Sequence, residues 1–73
     1  MIEVFASDRL GMKVAILMNE EDTIGDLKLM ISTQTGIDPD RIRLQTRSRV
    51  YKDHITLADY EIGDGFYFEL QYH

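Results

Sequence analysis

No cysteine and no tryptophan occur in these 73 residues, and proline occurs once. Without cysteine there is no disulfide framework and no thiolate metal site, so apolar packing alone has to hold a chain close to the lower size limit for one core. Histidine is scarce as well. His54 and His73 are the only two, and neither has a neighbouring Ser or Cys constellation suited to nucleophilic catalysis. His54 follows Asp53, but two adjacent residues do not define a metal site. Asp59, Glu61 and Asp64 cluster around a turn, where capping or solvation explains them. Gly63-Asp64-Gly65 precedes a strand rather than opening a helix, so it is not a phosphate cradle. No enzyme activity, no metal and no cofactor are expected.

Long apolar runs are also missing. No stretch could span a bilayer, and Met1-Ile2-Glu3-Val4 lacks the basic start and apolar run of a signal peptide. No membrane association is expected, and cytosol or nucleus is the default compartment. What the chain does have is a 44% hydrophobic fraction, which excludes a disordered tail, and a net charge of −5. That charge argues against direct nucleic-acid binding. It is unevenly spread: Glu20, Glu21, Asp22 and Asp26 crowd one segment. Arg41, Arg43, Arg47, Arg49 and Lys52 occupy another, with no acid between Arg41 and Lys52. Most such runs are solvated faces.

Periodicity organises the rest into one domain, 1–73. Ile2, Val4 and Ala6 alternate with Glu3 and Phe5, the pattern of a half-buried strand. Ser7 to Gly11 supply turn residues, and Val14, Ile16 and Met18 alternate in a second strand, giving an antiparallel hairpin. Ala15 and Leu17 then lie on its outer side, where with Phe5 and Tyr67 they make an apolar strip. A helix starts after Thr23, whose hydroxyl caps the first turn, with Asp26 as a short-armed capping-box acid. Ile24, Leu27 and Ile31 recur at helical spacing and face the sheet. Gly36 closes the helix and Pro39 prevents its resumption. Ile42 and Leu44 point inward from a third strand, Val50-Tyr51 form a short fourth, and Phe68 and Leu70 complete the core from the last. Two strands, a helix and three strands make an α+β fold, a mixed five-stranded sheet packed on one helix: the β-grasp arrangement. A folded monomer is expected.

With these elements in place, whole segments resemble the Hub-type ubiquitin-like proteins, also called ubiquitin-like protein five. The matching stretches are Met1-Ile2-Glu3-Val4, Asp8-Arg9-Leu10-Gly11, Asp22-Thr23-Ile24-Gly25-Asp26-Leu27-Lys28, Gln34-Thr35-Gly36, Lys52-Asp53-His54, Asp59-Tyr60-Glu61-Ile62 and Glu69-Leu70. They run in register along the whole chain without a gap. The resemblance implies a ubiquitin-like modifier that works by non-covalent binding in pre-mRNA splicing, in nucleus and cytoplasm. Its partners would be splicing factors carrying short amphipathic helices, each with an arginine gripped by an acid that matches Asp22. Glu20 and Glu21, beside Asp22, and Leu17, Ala15 and Phe5 on the outer strip are secondary partner-binding candidates. The resemblance also places Tyr60 as an aromatic ring buried under a loop.

The sequence departs from that family at three places. Gln71-Tyr72 stands where members carry two tyrosines, so of the C-terminal motif only Tyr72 matches. Gly63 replaces a frequent histidine at a second contact surface, and Ala15 and Leu17 replace basic residues. Relative to ubiquitin, Gln45 and Gln71 stand where its readers grip aliphatic side chains, and Arg49 stands where ubiquitin has a lysine used for chains. The sequence ends at His73, just past a strand and without a glycine pair, which implies that conjugation does not occur. A covalent modifier with an atypical C-terminus is the alternative, and adducts surviving hot denaturant and reductant would favour it.

Overall fold

A computed structural model of the chain describes residues 1–73. Strands β1 (Ile2–Ser7) and β2 (Lys13–Met18) pair antiparallel, with Ile2 opposite Met18 and Ser7 opposite Lys13. Helix α1 (Ile24–Thr35) follows, then a 3₁₀ turn over Pro39–Arg41 and strands β3 (Ile42–Gln45) and β4 (Tyr67–Tyr72). The sheet order is β2-β1-β4-β3, with β1 and β4 parallel and the outer pairings antiparallel. This is the β-grasp arrangement expected from the periodicities, with one correction. The sheet has four strands rather than five.

The missing strand is Val50-Tyr51. Its pairing is confined to a single bridge between Val50 and Gln45, flanked by bonds from the Thr46 amide to the Arg49 carbonyl, 2.9 Å, and from the Tyr51 amide to the Leu44 carbonyl, 3.0 Å. Two interactions end the ladder there. The Tyr51 ring is buried and meets Phe68 and Tyr60 edge-on, at centroid distances of 5.1 and 4.7 Å, which draws the chain down onto the core. The next amide, of Lys52, donates to the Tyr60 hydroxyl at 2.8 Å and is lost to any strand partner. Tyr60 is thus a half-buried ring holding a loop.

The helix begins as its sequence dictates. The Thr23 hydroxyl accepts from the Asp26 amide at 3.1 Å, and an Asp26 carboxylate oxygen accepts from the Thr23 amide at 3.0 Å, a complete capping box. The next two amides, of Ile24 and Gly25, donate to the carbonyls of Ile55 and Asp53. This close approach explains Gly25: a β-carbon there would meet the Asp53 carbonyl at 3.2 Å. Gly36, at φ 78°, closes the other end by donating to Ser32.

Sixteen buried side chains form one core, among them every residue that the strand and helix periodicities selected, Ile42 included. Leu57 and Ile62 join from the loop between β3 and β4, which has no period to reveal them.

Candidate functional site

Helix α1 carries more apolar side chains than the sheet can cover. Leu27 and Ile31 are buried, whereas Leu29 and Met30 are 57% and 44% exposed. Leu17, an outward residue of edge strand β2, is 58% exposed. These three, with Met18, line an open groove of about 360 Å³ between β2 and α1. Asp22 and Asp26 complete its lining.

Both acids are held in place by the turn that leads into the helix. One Asp22 carboxylate oxygen accepts from the Asn19 amide at 2.9 Å, and the Asp22 carbonyl accepts from the Leu57 amide at 2.9 Å. The Asp26 carboxylate closes the capping box. Each thereby fixes one oxygen and leaves the other without a hydrogen-bond partner. Neither forms an ion pair; the one ion pair in the molecule joins Lys28 to Asp53 at 2.6 Å. The site combines an apolar trough with two oriented carboxylates, so it can bury apolar side chains along its length and pair with a cation at one end.

The residues singled out from the sequence fall in four places. Asp22 and Leu17 meet in the groove. Glu20 and Glu21 are exposed on the preceding turn and do not line it. Ala15 and Phe5 lie opposite each other on the outer face of the sheet, where Phe5 stacks on Tyr67 at 4.9 Å. Lys13 stands over both rings, 5.5 and 5.1 Å from their centroids, so this strip carries a cation as well as apolar surface. Tyr72, half-buried on β4, donates to an Asp8 carboxylate oxygen at 2.7 Å and belongs to neither surface. The sequence reading missed Leu29, Met30 and Asp26 as groove residues. The signal was present: four apolar residues among positions 27 to 31 are too many for one buried face.

Residues 6–70 match the ubiquitin family. The chain belongs to that family. Over 72 residues it is 56% identical to ubiquitin-like modifier HUB1 of Debaryomyces hansenii and 53% identical to ubiquitin-like modifier hub1 of Schizosaccharomyces pombe. It is 50% identical to ubiquitin-like protein 5 of Drosophila melanogaster, and each of these alignments covers 99% of both chains. Ubiquitin-like modifiers of this kind are not enzymes. No helix is long and apolar enough to cross a membrane.

Proposed function

We propose that the protein is a non-covalent interaction module whose β2–α1 groove receives a short amphipathic helix. The observation that carries this reading is the juxtaposition of exposed Leu17, Leu29 and Met30 with the carboxylates of Asp22 and Asp26 in one open groove. An amphipathic helix presents apolar side chains at i, i+3, i+4 and i+7, the form such a trough accepts. Each leucine or methionine it buries contributes about 1.5–3 kcal/mol. An arginine on its flank can reach Asp22, the acid that the family resemblance assigns to this role. Fully exposed, that pair contributes about 0–1 kcal/mol. Partly desolvated beneath a bound helix, such pairs reach a few kcal/mol.

The partners are splicing factors bearing such helices, and the role is modulation of pre-mRNA splicing in nucleus and cytoplasm; this rests on the family resemblance. The protein acts as a monomer and does not contact RNA directly. Covalent attachment is the competing reading. The His73 amide donates to the Arg41 carbonyl at 2.9 Å, and Arg41 Nε donates to the His73 backbone oxygen at 3.1 Å, which hold residue 73 beside Arg41.

The test is a titration of isotope-labelled protein with an arginine-bearing amphipathic peptide from a splicing factor, followed by NMR. Shifts are expected at Leu17, Asp22, Leu29 and Met30. Shifts centred on Phe5, Ala15 and Tyr67 instead would move the site to the outer strip.

A further inference from the structure

The hairpin between β1 and β2 turns through Asp8-Arg9-Leu10-Gly11-Met12, and one side chain organises it. An Asp8 carboxylate oxygen accepts from the amides of both Leu10 and Met12, each at 2.9 Å. The Asp8 amide donates to the Met12 carbonyl at 3.0 Å, and Gly11, at φ 94°, supplies the left-handed turn residue. The loop has little else to fix it, since Leu10 at its tip is 91% exposed. The second Asp8 oxygen takes the hydroxyl of Tyr72 at 2.7 Å, 64 positions away in sequence, and the same hydroxyl lies 3.7 Å from the Met12 sulfur. On its other side this end of β4 is tied to β3, where Ile42 pairs with Tyr72 and the His73 amide donates to the Arg41 carbonyl.

We propose that the Tyr72–Asp8 hydrogen bond is a clasp that makes the hairpin loop and residues 72–73 one conformational unit. While Tyr72 lies on the sheet, Asp8 is oriented and the loop is held. Drawing residues 72 and 73 away as an extended strand requires giving up the clasp and loosening the loop. The inference deepens the non-covalent reading and rests on it for its purpose, because a segment held on the sheet takes part in the folded binding surface rather than being drawn out of it. Coupling of this kind is reciprocal: loosening either side loosens the other.

Amide hydrogen exchange with Tyr72→Phe tests the clasp, because this variant removes the hydroxyl and keeps the ring. Exchange at Leu10 and Met12 is expected to rise about tenfold, the scale of one lost charge-assisted bond, while Val4 and Ile16 in the paired strands stay as in wild type. Asp8→Ala, which opens the clasp from the other side, is expected to speed exchange at His73. Unchanged Leu10 and Met12 amides in Tyr72→Phe would overturn the proposal. So would a uniform rise that includes Val4 and Ile16, since that reports general destabilisation. Peptide binding measured on the same wild-type sample keeps the two readings apart. A clasp without binding sinks the groove assignment, and binding without the exchange pattern sinks the clasp.

Discussion

Asp22 combines two roles that a single substitution can separate. One carboxylate oxygen anchors the turn through the Asn19 amide, and the other is available to a partner. Asp22→Asn keeps an acceptor for that amide and removes the charge, so it is the cleaner probe than alanine. It is expected to leave thermal stability within about 0.5 kcal/mol of wild type, the range of surface substitutions, while weakening the arginine-bearing peptide. The neighbouring Glu20→Ala and Glu21→Ala are expected to have smaller effects on binding, because neither residue lines the groove. Asp8 and Tyr72 make a second residue-scale case, visible in pH. Tyr72 is pushed from its ordinary 10.0 up to about 12, first by burial and then by its hydrogen bond to Asp8. Asp8 is held below its ordinary 3.8, chiefly by the same hydrogen bond. For Tyr72 the folded state keeps the proton longer than the unfolded chain, so its contribution is full below pH 10.0 and is lost as pH rises toward about 12. For Asp8 the contribution is present above pH 3.8 and is lost as pH falls through its lower folded value. Wild type is therefore expected to lose stability more steeply than Tyr72→Phe between pH 10.0 and about 12 in denaturant titrations. Parallel curves would contradict this.

At the scale of elements, helix α1 shows both what periodicity reveals and what it hides. Its start, its end and the burial of Ile24, Leu27 and Ile31 follow from Thr23, Asp26, Gly36 and the 3.6-residue repeat. Ile31→Ala is expected to cost roughly 2–5 kcal/mol by chemical denaturation, since it leaves a cavity in a small core. A negligible loss would mean that the face is misassigned. The opposite face was harder to read. Leu29 and Met30 stand out as apolar surplus, but no pattern within the helix says that they meet Leu17, which lies earlier in the chain on another element. Leu29→Asp is expected to reduce peptide binding by tenfold or more, about 1.4 kcal/mol, with the fold retained, because the side chain is mostly exposed. Val50-Tyr51 failed as a strand for a related reason. The contacts that bury Tyr51 and capture the Lys52 amide come from Phe68 and Tyr60, and a local reading of two residues contains neither.

For the whole molecule, the β-grasp sets where a binding groove can form. With β2 at one edge of the sheet and α1 packed across it, the outer edge of β2 and the flank of the helix leave a trough that no other element covers. The turn from Asn19 to Thr23, which must bridge strand and helix, delivers Asp22 to the end of that trough. The architecture was legible because each element announces itself and few arrangements satisfy them together. The site was half legible: Asp22 came from family resemblance and Leu17 from strand alternation, while their meeting with Leu29 and Met30 depends on tertiary packing. The central claim is that Asp22 grips an arginine of a helix lying in this groove. A charge-reversal cycle by calorimetry tests it most directly, pairing wild type and Asp22→Arg with a peptide carrying its arginine and with the same peptide bearing glutamate there. Each single reversal is expected to weaken binding by about tenfold or more, some 1.4 kcal/mol, and the double reversal to recover part of that loss. Losses that simply add, with no recovery in the double reversal, would contradict the claim.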